Sequence, residues 1–123
     1  MKRAMMQCYV KHSNEAVPLY LEAFHGQLGY HVMNDDQTYY HAEVMIEGFV
    51  LAVAEKHGDE PLQTGSTMQF CLQFGVGNED RLHHAYEVLK KDAALLMPLQ
   101  PVDYSSLCAD LVDRFGIRWC LFI

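Results

Sequence analysis

Two glycines, Gly48 and Gly116, occupy corresponding places in the two halves of the chain. The first is followed by Phe49-Val50-Leu51-Ala52-Val53 and the second by Ile117-Arg118-Trp119-Cys120-Leu121. Asn14-Glu15 in the first half reappears as Asn78-Glu79 in the second. Turn signals and hydrophobic period give both halves the same order of strand, helix, strand, strand, strand. Such a duplication constrains the fold more than any single motif, because one supersecondary unit must then be built twice. The 123 residues suffice for one domain holding two such units.

In the first half, residues 5–10 read as a strand, with Tyr9 and Val10 favouring extended backbone. Ser13 or Asn14 is suited to cap a helix that runs to about Phe24. Pro18 is expected to be tolerated early in that helix, and Gly26 to end it. Strands follow at 30–33, 39–46 and 49–54, with a turn at Asn34-Asp35-Asp36. A polar segment with Gly58, Pro61 and Gly65 separates the halves. The expected organisation is module one at 1–56, a linker at 57–66 and module two at 67–123. In module two, residues 67–76 alternate as a strand, with Phe70, Leu72 and Phe74 on one side and Gln69, Cys71 and Gln73 on the other. Asn78 heads a helix through Lys91, along which Leu82, Ala85, Tyr86 and Leu89 recur at helical spacing. Strands follow at 94–97, 107–112 and 117–122. Pro98, Pro101 and Asp103 read as a loop, and 113–116 as a turn.

Charge limits the partners. Sixteen acidic residues against nine basic ones leave a net charge of −7, so phosphate neutralisation on nucleic acid and docking on an anionic membrane are not expected. No run reaches the roughly 20 apolar residues of a membrane helix, and the first residues lack a secretory h-region. A cytoplasmic protein is the expectation. Cys8, Cys71, Cys108 and Cys120 contain no Cys-x-x-Cys pair and sit in apolar or alternating runs, which reads as buried reduced thiols rather than a structural zinc site. His83 and His84 read as surface residues.

Several segments together resemble the vicinal oxygen chelate superfamily (the glyoxalase, bleomycin-resistance and dioxygenase group), and within it the PhnB-like branch. They are Ala16-Val17-Pro18-Leu19-Tyr20 with Phe24, His41-Ala42-Glu43-Val44, Met97-Pro98-Leu99, and Asp113-Arg114-Phe115-Gly116-Ile117-Arg118-Trp119. The sequence departs from the pattern at Ala93-Ala94, where a double glycine is usual, and around Tyr104-Ser105. The resemblance implies an α+β fold of two tandem βαβββ modules forming a curved mixed sheet around a cup, commonly in a homodimer.

The resemblance also implies where a divalent metal would be held: on the first and last strand of each module. Those positions read here as Met5, Ala52, Gln69 and Cys120. Alanine has no donor and a thioether is soft, so no metal and no cofactor is expected. A register slip of two residues would bring in Gln7 or Gln73. The same faces carry Gln7, Tyr9, His41, Glu43, Met45, Gln69, Cys71, Gln73, Cys108, Asp110 and Arg118, with Tyr104 as a loop aromatic that could close the cup. His41 and Glu43, two apart on one strand, could form a general base with its carboxylate or a hydrogen-bonded pair that orders the strand or the dimer seam. Arg118 could anchor an anion or pair with Asp110 or Glu43. The expected function is metal-independent binding of a small molecule in the cup. The alternatives are a metal-dependent lyase, isomerase or dioxygenase of the same superfamily, or a structural dimer with a vestigial cup.

Overall fold

A computed structural model describes residues 1–123, and the chain divides into two compact units, Met1–Pro61 and Leu62–Ile123. The first contains β1 (Met6–Val10), α1 (Ser13–Phe24), β2 (Gln27–Met33), β3 (Tyr39–Ile46) and β4 (Phe49–Glu55). Its sheet has the order β1-β4-β3-β2, with β1 parallel to β4 and the other pairs antiparallel. The second contains β5 (Phe70–Gln73), α2 (Glu79–Leu89), β6 (Ala94–Val102), β7 (Ser105–Val112) and β8 (Arg118–Phe122). Its order, β5-β8-β7-β6, repeats the first with the same single parallel pair. The fold is α+β, two mixed four-stranded sheets with one helix each. No helix is long and apolar enough to cross a membrane.

Each sheet buries one face. In the first unit α1 packs on β3 and β4, and Val17, Tyr20, Val44, Leu51 and Val53 are wholly buried. In the second, Leu82 and Leu89 of α2 are buried with Leu111, Trp119 and Leu121 of the sheet. Phe70 lies 5.4 Å from Trp119, ring centre to ring centre. Of the Phe70, Leu72 and Phe74 side of the strand read from the sequence, Leu72 is buried and the two phenylalanines are half-buried, while in the middle of β4 and β8 both faces are buried.

Gly48 and Gly116 share a function in the turns before β4 and β8. Both have positive φ, 81° and 89°, where a Cβ is disfavoured. The second turn is organised by Asp113, which is buried. Its Oδ1 accepts the N–H groups of Phe115 and Ile117 at 2.9 and 3.1 Å, and its Oδ2 accepts Trp119 Nε1–H at 2.8 Å. One carboxylate therefore shapes the turn and orients the largest core side chain.

Six local expectations are corrected. Neither Ser13 nor Asn14 caps α1 with its side chain; the cap residue is His12, at φ 63°, and Glu55 on β4 supplies the acceptor. The Glu55 carboxylate accepts His12 N–H at 3.1 Å and Ser13 N–H at 2.8 Å, which satisfies donors at the positive end of the helix. Gly26 is not the left-handed residue after α1; His25 is, at φ 49°. Gly26 is needed for close approach, since a Cβ there would lie 3.0 Å from Val44 Cγ1 and 3.1 Å from the Met45 carbonyl oxygen. Pro18 lies inside α1, beyond the first turn, so the carbonyl of exposed Asn14 loses its helical donor and faces water.

The second unit holds the other three corrections. The first strand spans only Phe70–Gln73; beyond it the chain turns at Gly75 and Gly77, both at positive φ. Pro98 and Pro101 lie in a strand rather than a loop. β6 is an edge strand, and its pairing with β7 shifts register between Met97 and Gln100 and again between Gln100 and Val102. Each proline thus falls where a ladder donor is not required. Cys71 is exposed, whereas Cys8, Cys108 and Cys120 are buried as expected.

Candidate functional site

The face of each sheet turned away from its helix carries the polar side chains. In the first unit, Gln7 of β1 pairs in register with Ala52 of β4, which pairs with Glu43 of β3. Tyr9 pairs with Ala54, and Val32 of β2 with His41. Residues in register share a face, so Gln7, Tyr9, Val32, His41 and Glu43 do too.

Glu43 is only 3% exposed, and a buried carboxylate needs partners. Arg3, ahead of β1, supplies two, donating from Nη1 to Oε2 at 3.0 Å and from Nη2 to Oε1 at 2.6 Å. His41 Nε2 lies 3.3 Å from Oε1. The Arg3 guanidinium, with His41 second, holds the Glu43 carboxyl below its ordinary range against the opposing effect of burial. Glu43 is thereby committed as an anion to Arg3.

Beside this pair lies a cavity of about 360 Å³, lined by Gln7, Tyr9, Tyr30, Val32, Tyr40, His41, Ala54, Glu55 and His57. Three tyrosines carry most of its aromatic surface: Tyr9, Tyr30 and Tyr40 are 58%, 67% and 64% exposed. The Tyr30 ring stands 6.1 Å from the His41 ring. Tyr40 reaches the cavity through an irregularity. Val32 pairs with His41 but Met33 with Tyr39, so Tyr40 has no partner on β2.

In the second unit, Cys71 of β5, Cys120 of β8, Asp110 of β7 and Met97 of β6 form one row. Arg118 binds Asp110 through two hydrogen bonds, Nε to Oδ1 at 3.1 Å and Nη2 to Oδ2 at 2.8 Å. That contact chooses between the two readings of Arg118, and it raises the guanidinium pKa further. The Tyr104 hydroxyl lies 3.5 Å from Cys108 Sγ, a contact that, ahead of burial, pushes its pKa up to about 12. Its ring meets Phe122 edge-on at 6.1 Å. Gln69 Nε2 donates to Cys71 Sγ at 3.5 Å, while Gln69 Oε1 is buried without a hydrogen-bond partner. Gln73 is exposed in β5.

Of the residues singled out from sequence, Gln7, Tyr9 and His41 therefore line the cavity, and Glu43 lies beneath Arg3 beside it. Gln69, Cys71, Gln73, Tyr104, Asp110 and Arg118 belong to the second unit. Sequence reading missed Arg3, Tyr30, Tyr40, Glu55 and His57. The β2 register would have found Tyr30, which lies two residues before Val32; nothing in the sequence marks Arg3 as the partner of Glu43.

The residues present do not fit a hard divalent cation. Ala52 offers no donor, and both oxygens of neighbouring Glu43 are held by a guanidinium. Burial first, then neighbouring Cys108, pushes the Cys120 thiol up to about 12, which disfavours the thiolate a metal needs. Gln69 brings one neutral oxygen. No group of three or more His, Cys, Asp or Glu side chains has metal-holding geometry.

No protein-family model and no curated protein matches the sequence. Solved structures do match. A putative 3-demethylubiquinone-9 3-methyltransferase, the PhnB protein from Bacillus cereus, superposes with a TM-score of 0.84 at 19% identity over 98% of each chain. The chain has the glyoxalase/bleomycin-resistance fold. Protein PA1353 from Pseudomonas aeruginosa is similar at TM-score 0.77 and 18% identity, over 98% of this chain and 97% of that one. The fosfomycin resistance protein FosX from Listeria monocytogenes follows at TM-score 0.72 and 15% identity, over 98% and 91%. FosX has also been solved with Mn(II) and a dihydroxypropylphosphonic acid. These neighbours belong to the vicinal oxygen chelate superfamily, and at such identities the likeness is one of fold.

Proposed function

We propose that the chain is a PhnB-like small-molecule binding protein that works without a metal, and that its ligand sits on the open face of the first sheet. The observation that carries this reading is the cavity between Tyr9, Tyr30, Tyr40 and His41. Its volume of about 360 Å³ falls within the range of small-ligand pockets. Tyrosine rings with hydroxyl tips suit a flat, largely apolar guest with polar edges. The net charge of −7 and the face of a tyrosine ring both favour a neutral or cationic guest over an anion. Arg3, which would otherwise attract an anion, is neutralised by Glu43.

The donor set argues against the FosX-type alternative, in which Mn(II) is present. A homodimer is the proposed state in solution, since β1, β2, β5 and β6 are edge strands and a two-fold partner is the usual cover for such edges. Light scattering giving a monomer at micromolar concentration would contradict the dimer.

The test of the binding reading is a panel of planar aromatic amines and matched carboxylates followed by ligand-observed NMR. The amines should bind and the carboxylates should not. Tyr30→Ala and Tyr9→Ala should each weaken binding at least tenfold without changing the melting temperature. Unchanged binding in both variants, or no binder in the panel, would sink this site.

A further inference from the structure

Three of the four cysteines share the face of the second sheet that carries Arg118. Cys71 on β5 is the register partner of Cys120 on the parallel neighbour β8. Cys108 on β7 brings its Sγ to 3.9 Å from Cys120 Sγ. Cys71 is exposed, whereas Cys108 and Cys120 are buried. We propose that Cys71 and Cys120 form a reversible oxidation site, in which the Cys71 sulfur attacks hydrogen peroxide and Cys120 then closes a cross-strand disulfide.

Exposure decides the first step. Only Cys71 offers its sulfur to a dissolved oxidant, and the carboxamide of Gln69, 3.5 Å away, donates a hydrogen bond to that sulfur. The Cys71 sulfur attacks the peroxide and takes one oxygen, giving a sulfenic acid while the O–O bond breaks and water leaves. The Cys120 sulfur then attacks the sulfenic sulfur. An S–S bond forms, the S–O bond breaks, and the hydroxyl leaves with the Cys120 proton as a second water. The two thiols lose two electrons and the peroxide gains them. A low-molecular-weight thiol returns the pair to the reduced form, being oxidised to its own disulfide.

Backbone geometry selects Cys120 over Cys108 as the partner of the bond that forms. Adjacent strands lie about 4.8 Å apart, within the Cα separation of about 4.4–6.8 Å that a disulfide accepts. Residues in register also point to the same face, so a bridge between Cys71 and Cys120 needs no change in strand register. The Cys108 and Cys120 sulfurs are close, but their backbones are diagonal. Cys108 stands opposite Phe122, and Cys120 opposite Asp110. Diagonal positions are about 7–8 Å apart, beyond the reach of a bridge unless strands shift. Burial, which raises the Cys120 pKa, keeps that sulfur protonated and shielded from the dissolved oxidant, so the first oxidation falls on Cys71.

The experiment treats the intact protein with a small excess of hydrogen peroxide, then alkylates, and reads intact mass and peptide maps. The expected product has lost about 2 Da and two titratable thiols, with the bridge mapped between Cys71 and Cys120, and dithiothreitol restores both. Cys71→Ser should slow thiol loss at least tenfold. Cys120→Ala, which preserves an apolar core residue, should leave Cys71 as a sulfenic acid trapped by dimedone. Cys108→Ala should still form the bridge, and serves as the control for a change in the packed cluster. A bridge between Cys108 and Cys120, an intermolecular Cys71 disulfide, or over-oxidation of Cys71 with Cys120 still reduced would each overturn the proposal.

Discussion

Arg3 and Glu43 meet through two hydrogen bonds, at 3.0 and 2.6 Å, although Arg3 precedes the first strand and Glu43 lies in the middle of the third. The pair pins the N-terminal segment across the sheet. Its strength depends on Glu43 being ionised, and the carboxyl is held below its ordinary range chiefly by Arg3. A depressed carboxyl pKa contributes stability above the unfolded value of about 4.3, and that contribution is lost as pH falls through the folded value. Arg3→Ala should therefore lower the melting temperature at neutral pH, and the difference should shrink as the pH falls from neutral into the acid range and Glu43 takes up its proton. Thermal denaturation of both proteins across this range is the check; an equal shift at both ends would refute the linkage.

Asp113 gives the largest predicted loss. It accepts three hydrogen bonds in a buried turn, one of them from the single tryptophan of the chain. Asp113→Ala leaves three donors without this acceptor and should cost about 3 kcal/mol or more. Asp113→Asn keeps one acceptor oxygen and should fall between that variant and the native protein. Urea unfolding followed by Trp119 fluorescence measures both.

Glu55 predicts a smaller, coupled effect. Replacing it with alanine removes the acceptor at the start of α1 and should cost about 1 kcal/mol. Ser13 Oγ donates to Glu55 Oε1 and accepts the Tyr39 N–H, each at 2.8 Å, so the two residues act as one unit. The combination Ser13→Ala with Glu55→Ala should therefore cost less than the sum of the single changes. Strict additivity in a double-mutant cycle would contradict this.

The duplicated glycines are predicted to respond unequally to the same change. Gly48→Ala meets open space and should cost only the conformational penalty, about 1 kcal/mol. At Gly116 an added Cβ would also lie 3.0 Å from Thr64 Oγ1, whose hydroxyl donates to the Gly116 carbonyl at 2.7 Å. Gly116→Ala should be the more damaging of the two, as chemical denaturation of the pair will show.

What could be read from the sequence was what depends on period and local turn chemistry. The alternation of Leu72 and Cys71, the helical spacing of Leu82, Ala85, Tyr86 and Leu89, and the turn glycines each carry a local signal. Several of the failures share a cause, which is that the deciding partner is distant in sequence. Glu55 takes over the capping of α1 from 42 residues away. Arg3 reaches Glu43 across 40 residues. Pro98 and Pro101 read as loop residues because only the sheet order reveals an edge strand with irregular pairing. The cavity was half legible. Gln7, Tyr9 and His41 follow from strand parity, but Tyr40 enters through a register shift that no period can reveal.

Those two prolines also bear on the life of the chain before it has folded. A bare sheet edge is a template on which another copy can lay down a strand, and concentrated nascent chains offer many copies. Along β6, such an incoming strand would meet two residues with no N–H to give and a backbone already out of register. The second sheet thus carries, on that side, its own protection against runaway strand addition.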